Sequence, residues 1–285
     1  MIKNLIYDVG MHNGDDTAYY LARGFNVIAI EADPHLAEQA SRRFGSELAV
    51  GNLIILNTGV SDQEGVLPFY ISDTNREWNT FNESVVKEKA TTFHEVTVSC
   101  RRFRSILDEF GTPYYLKLDI EGNEIFCLRD LIRSELPAYV SFEKTAQFAE
   151  ESLTLLHDLG YRGFKLISQH NFLAVEYPPT WEQRRYERWQ NLLESRNFFL
   201  RVIRRAGARR WVNPARYRFD GKIFPPGSSG LFGEDTSGGW QTFDEMSHTL
   251  AKVNSSFDAR EPSVFWGNES YSFWADFHAK RDIQP

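Results

Sequence analysis

The chain has 285 residues, 42% of them hydrophobic and 14% aromatic, enough for one sizeable core or for a domain with an appendage. Its formal net charge of -7 argues against a general nucleic-acid binder, and no apolar run reaches the length of a membrane span. Cys100 and Cys127 are far apart in apolar patterns and read as buried free thiols of a reducing compartment. With a strand pattern at the start and no signal-peptide architecture, the expected location is cytoplasmic.

The first half alternates strands and helices. Ile2-Asp8 reads as a buried strand, Asp15-Ala22 as a short helix and Asn26-Glu31 as a second buried strand. Pro34 opens a helix that runs over His35-Phe44, and Leu53-Asn57 is a third strand. Val66-Ile71 and Val96-Cys100 read as strands flanking a polar loop, with a brief helix at Ser105-Phe110. Tyr114-Asp119 is a fourth core strand, Glu121-Ile132 a helix and Ala138-Glu143 a fifth strand. Gln147-Leu159 is a helix closed by Gly160, and Gly163-Ser168 and Phe172-Glu176 read as two further strands. This alternation predicts a mostly parallel sheet with helices on both faces.

Pro178-Pro179 marks a boundary, giving an expected domain over 1–177 and an extension over 178–285. A long helix is expected from Trp181 to about Ala206, and arginine dominates it. Between Trp181 and Asp220 there are eleven arginines against four acids. A glycine-rich loop, Gly227 to Gly239, and an aromatic segment from Phe265 to Phe277 follow.

The stretch Asp8-Val9-Gly10-Met11-His12-Asn13-Gly14-Asp15-Asp16-Thr17 joins the first strand to the first helix. A phosphate loop would need GxxxxGK[ST], and this turn has no lysine. A dinucleotide fold prefers G-x-G-x-x-G, whereas the spacing here is G-x-x-x-G. S-adenosylmethionine has no phosphate and tolerates a looser turn. Its ammonium would want an acceptor such as Asp8, its carboxylate the helix N-terminus, and its ribose Glu31 at the end of the second strand.

Several segments carry a resemblance to a known family. They are Asp8-Val9-Gly10…Gly14-Asp15-Asp16-Thr17, Ile30-Glu31-Ala32-Asp33-Pro34 and Gly59-Val60-Ser61-Asp62. The most specific is Leu116-Lys117-Leu118-Asp119-Ile120-Glu121-Gly122-Asn123-Glu124, a strand ending in K-x-D-x-E-G-x-E. Over roughly residues 2 to 177 the chain resembles the FkbM-type methyltransferases. The resemblance implies an α/β fold with the Rossmann-like sheet of class I methyltransferases. It also implies S-adenosylmethionine as cofactor and methyl transfer to a hydroxyl of a sugar or natural product. On this basis Gly10 and Gly14 form the cofactor turn, with Asn13 between them, and Asp15 and Thr17 open the helix behind it. Glu31 ends the second strand and Ala32 follows it, and Ser61 and Asp62 lie where an adenine edge would be. Asp15 and Thr17 can equally be helix-capping residues, and Asp62 a turn former.

In a parallel sheet, ligands sit beyond the C-terminal ends of the strands. Asp119 and Glu143 end adjacent strands and His170 follows a later one, so these three are the candidate catalytic groups. Glu121 and Glu124 open a helix, which favours acids for structural reasons alone. A hydroxyl near the pKa of water, about 15.7, faces a carboxylate near 3.9 with a mismatch of about 12 units, or roughly 16 kcal/mol. A carboxylate can therefore only accept the proton late, as the new bond forms. A divalent metal held by Asp119 and Glu143 would lower the acceptor's pKa directly, but the sequence has no dedicated ligand cluster and no metal site is assigned. Trp78 and Asn79, in the insertion after the third strand, are candidate substrate contacts. N- or carboxyl-methylation of a small molecule, a non-catalytic module of the same fold and a nicotinamide oxidoreductase are the alternatives. The arginine-rich helix has three readings: a homo-oligomer contact, a pocket for an anionic acceptor, or a contact with an anionic membrane. The glycine-rich loop reads as a lid or as a simple connection.

Overall fold

The computed structural model describes residues 1–74, 79–89, 92–120, 122–144, 148–169, 171–194, 202, 218–219, 222–225, 228–258 and 274–281. In chain order its elements begin with β1 (Ile2–Val9), α1 (Asp15–Ala22), β2 (Asn26–Glu31), α2 (Pro34–Arg43), α3 (Gly45–Val50) and β3 (Leu53–Asn57). Next come β4 (Gly59–Val60), β5 (Gly65–Ser72), α4 (Glu83–Lys89), β6 (Phe93–Arg101), α5 (Phe103–Phe110) and β7 (Pro113–Leu118). They continue with α6 (Glu124–Arg129), β8 (Tyr139–Glu143), α7 (Ala149–Leu159), β9 (Tyr161–Ser168) and α8 (Trp181–Glu194). The last are β10 (Arg218–Phe219), β11 (Lys222–Ile223), α9 (Phe243–Asp258) and β12 (Ala275–Arg281).

The main sheet has seven strands in the order β3-β2-β1-β7-β8-β12-β9. Counted within the sheet this is 3-2-1-4-5-7-6, and it is mostly parallel, as expected of the class I methyltransferase fold. The pairs β1-β2, β1-β7, β2-β3 and β7-β8 are all parallel. Such a sheet is covered on both faces, so its strands are apolar runs rather than alternations. In β1, Leu5, Ile6, Tyr7, Asp8 and Val9 are all buried. Asp8 is the exception in kind, and a charge buried there demands a partner.

The chain divides into two compact units, Met1–Tyr161 with Lys280–Pro285, and Arg162–Ala279. In the first, α2 starts where the sequence says it should. Asp33 caps it by accepting from His35 N at 2.8 Å, Pro34 follows, and Leu36, Ala37 and Ala40 form the buried stripe. The insertion before β7 is a separate three-stranded sheet, β4-β6-β5, with Phe69, Ile71, Val98 and Cys100 as its core. Cys100 and Cys127 are buried free thiols.

The expected helix over Glu121-Ile132 is shorter. It starts at Glu124, whose carboxylate accepts from Ile120 N at 2.9 Å and Gly122 N at 3.0 Å. The expected strand over Phe172-Glu176 is reduced to a single bridge between Ile167 and Ala174. Phe172 adopts φ 55 in a tight turn, and Ala174 N donates to Ser237 Oγ instead of to a ladder. The strand over Ala275–Arg281 begins in the aromatic segment and runs past its end, and the sequence reading has no strand there.

In the second unit, Lys165 on β9 is 2% exposed. Its ammonium donates to Thr236 Oγ1 at 3.0 Å and lies 4.4 Å from the Trp240 ring centroid. His278 on β12 is pushed down to about 3 by burial and by the nearby Lys165 charge, so its imidazole is neutral at pH 7. No helix among the described residues is long and apolar enough to cross a membrane.

Candidate active site

The C-terminal ends of β1, β2 and β7 meet at one edge of the sheet, with Val9 level with Ile30 on one side and Leu118 on the other. Gly10 N and Met11 N both donate to Ile30 O, at 2.9 and 3.1 Å, which folds the chain back sharply after β1. Gly10 has φ +82, and a Cβ there would stand 1.8 Å from Asp119 O, so only glycine fits. Asp119 N in turn donates to Val9 O at 2.9 Å. The two loops that would frame a cofactor are thus in backbone contact.

Glu31 ends β2 and is 7% exposed. Its Oε2 accepts from His12 N and its Oε1 from Asp33 N, each at 2.8 Å. Burial raises its pKa to about 7, against the opposing pull of those two N–H groups. With His12 N engaged by Glu31, Gly14 N by Met11 O and Asp15 N by Asn13 Oδ1, much of the turn's donor capacity is used internally.

Behind the turn lies a buried charge network. Asp8 Oδ2 accepts from Thr17 Oγ1 at 2.6 Å, and Asp8 Oδ1 pairs with Lys117 Nζ at 3.0 Å. Lys117 Nζ also donates to Gly10 O at 2.9 Å and stands 3.8 Å from Asp16 and 3.6 Å from Asp119. Burial alone would lower the Lys117 pKa; Asp8, Asp119 and Asp16 outweigh it and hold the ammonium well above its ordinary value. The Asp8 and Asp16 side chains are closed off from solvent, whereas that of Asp119 is 35% exposed. Among these three carboxylates, Asp119 is the one that reaches open space.

The other sequence-derived residues are placed as follows. Asp15 pairs with Arg43 at 2.9 Å on the surface, and Asn13 is exposed at the start of α1. Ala32 packs against the core of the insertion sheet. Ser61 is buried, its hydroxyl 3.1 Å from Asp62 Oδ1, while Asp62 itself is exposed. Asn79 donates to Asp33 Oδ2 at 3.1 Å and accepts from Ser72 N at 3.0 Å, which ties the insertion to the loop after β2. Glu143 ends β8 one residue beyond Phe142, the partner of Leu118, so it is level with Asp119 on the neighbouring strand. His170, Trp78 and Glu121 lie outside the described residues. Among the described residues no three His, Cys, Asp or Glu side chains group as metal ligands.

Lys117, Asp16 and Asp33 stand in the segments that carry the resemblance but have no site role in the sequence reading. A lysine inside the apolar run Tyr115-Leu116-Lys117-Leu118 has to be paired if the strand is buried.

The sheet order, with an acid closing the second strand, is that of a class I methyltransferase, and the cofactor is S-adenosylmethionine. The chain belongs to the FkbM methyltransferase family: residues 8–162, more than half of it, match the methyltransferase FkbM domain. No curated protein sequence matches the chain. Among solved structures, the StiE O-MT region spanning residues 942–1257 is 7% identical over 99% of this chain and 69% of that one, with a TM-score of 0.40. An S-adenosylmethionine-dependent methyltransferase from Thiobacillus denitrificans, in complex with S-adenosyl-L-homocysteine, is 11% identical over 98% and 85%, with a TM-score of 0.33. Precorrin-6y C5,15-methyltransferase from Geobacter metallireducens is 12% identical over 59% and 70%, with a TM-score of 0.34. These likenesses are too distant to bear on substrate or mechanism.

Proposed function

We propose that the protein is an O-methyltransferase acting on a hydroxyl of a sugar or natural product, with Asp119 as the group that receives the acceptor's proton. The observation that carries this reading is the asymmetry of the carboxylate network. Asp8 and Asp16 are sealed around Lys117, and Asp119 alone of the three is open at the sheet edge. Glu143, level with it, is the second acid on hand to orient an acceptor.

The cofactor fits the residues present. Glu31 has about four lone-pair sites, of which two are taken by His12 N and Asp33 N, leaving two for the ribose hydroxyls. Gly10 keeps the turn free of a side chain where the two loops touch. Ala32, Ser61 and Asp62 would border the adenine, and Asn13, Gly14, Asp15 and Thr17 belong to the turn and the helix start behind it. When bound, S-adenosylmethionine supplies an electrophilic methyl group. The chain's own residues align the acceptor oxygen and take up its proton. Lys117 Nζ stands 3.6 Å from Asp119 Oδ2, and Asp119 accepts the proton as the C–O bond forms rather than before it.

The test is product analysis with the purified protein, the cofactor and a panel of hydroxylated saccharides and aglycones. An alkali-stable ether on a former hydroxyl is the expected product. A methyl ester or an N-methyl product would overturn the reading, as would full turnover by Asp119→Asn.

A further inference from the structure

We propose that α8 presents a tryptophan–arginine stripe that lies on an anionic phospholipid surface. The helix begins on a firm anchor. Thr180 Oγ1 accepts from Gln183 N at 3.1 Å, Arg184 Nε donates to Pro179 O at 2.9 Å, and the Gln183 side chain is 4% exposed. At 100° per residue, Trp181, Arg185, Arg188 and Trp189 fall within a stripe about 100° wide on the face opposite Gln183. All four are exposed, and Trp181 and Trp189 stand 69% and 51% clear of the protein. The Arg185 guanidinium lies 5.0 Å from the Trp181 ring centroid. Two indoles this exposed, interleaved with guanidinium groups, match the headgroup level of a bilayer, where the ring is half-immersed and the cation meets phosphate.

Charge favours the same occupant. The stripe itself carries Arg185 and Arg188 and no acid; α8 as a whole is balanced, three arginines against three glutamates, and the sequence after it to Asp220 has eight arginines against one acid. An anionic surface attracts the stripe and the basic sequence that follows it. A second copy is disfavoured, because a two-fold contact would set the arginine stripe against itself.

The test uses the full chain with phosphatidylcholine vesicles, with and without phosphatidylserine. The protein should sediment with the phosphatidylserine vesicles at low salt and be released at about 1 M salt. R185Q/R188Q should weaken partitioning roughly 30-fold, at about fivefold per arginine. W181A/W189A should abolish the blue shift of tryptophan emission on binding. Both pairs are on the surface, and unchanged S-adenosylhomocysteine binding confirms that each variant is folded. Equal binding to pure phosphatidylcholine, no sedimentation at low salt, or wild-type partitioning by both variants would overturn the proposal. So would a concentration-dependent dimer, lost in the same variants, in place of vesicle binding.

Discussion

Replacing Glu31 with Gln separates the cost of burying this acid from its use. The carboxyl has an ordinary pKa of 4.5 and is raised to about 7 by burial. The folded state therefore binds a proton more tightly than the unfolded chain does. Stability from this group is fully present below pH 4.5 and is lost as pH rises towards 7. The difference corresponds to about 3 kcal/mol. Glutamine cannot ionise, so the gap between wild type and Glu31→Gln should move by most of that amount between pH 5 and 8, in the variant's favour. Glutamine has only one acceptor oxygen, however, so His12 N or Asp33 N loses its partner at a cost of roughly 1–3 kcal/mol. The two proteins should then be of similar stability near pH 8, with the variant weaker at pH 5. Urea unfolding at four or five pH values measures this. The same variant should bind S-adenosylhomocysteine about 10- to 100-fold more weakly by calorimetry, because a charge-assisted hydrogen bond to the ribose is gone. A stability difference that does not change with pH would refute the burial argument. Undiminished cofactor affinity would refute the ribose assignment.

Three further substitutions probe the same edge of the sheet. Asp119→Asn should lower kcat by roughly 10²- to 10⁴-fold while cofactor affinity stays within a few-fold, as measured by turnover and calorimetry. Lys117→Met leaves Asp8 and Asp16 without their shared cation and should cost roughly 3–5 kcal/mol in urea unfolding. Adding Asp8→Asn should restore part of that loss, since the two changes share one network. Gly10→Ala forces a Cβ to 1.8 Å from Asp119 O at φ +82, and should destabilise by about 3 kcal/mol and abolish cofactor binding. A normal melting temperature for that variant would mean that the two loops are not in contact.

The strands that build the site were legible because a parallel sheet covered on both faces demands mostly apolar runs, and β1, β2, β3, β7 and β8 supply them despite Asp8 and Lys117. β12 was not, because Ala275-Asp276-Phe277-His278-Ala279 places an acid and a histidine at positions that are buried. No hydrophobic pattern announces a strand of that kind. Phe172-Glu176 erred in the other direction, since its apolar composition reflects burial without a ladder. At the site, the residue types at strand ends could be read, but not which carboxylates share a cation. Asp15 and Asp16 are equivalent in sequence. One meets Arg43 at the surface and the other stands beside Lys117, a difference set by the phase of α1.

The place of β12 in the strand order also bears on synthesis. Ala138 O and Leu136 O, just ahead of β8, accept from Arg281 N at 3.0 Å and Arg281 Nη1 at 3.3 Å. Until the chain has been made as far as 281, β8 has no neighbour on that side. At roughly 5–20 residues per second, the ribosome needs on the order of ten seconds to go from the end of β9 to β12. For that interval the edge of β8 is unpaired, and an unpaired strand edge is a template for pairing with another chain.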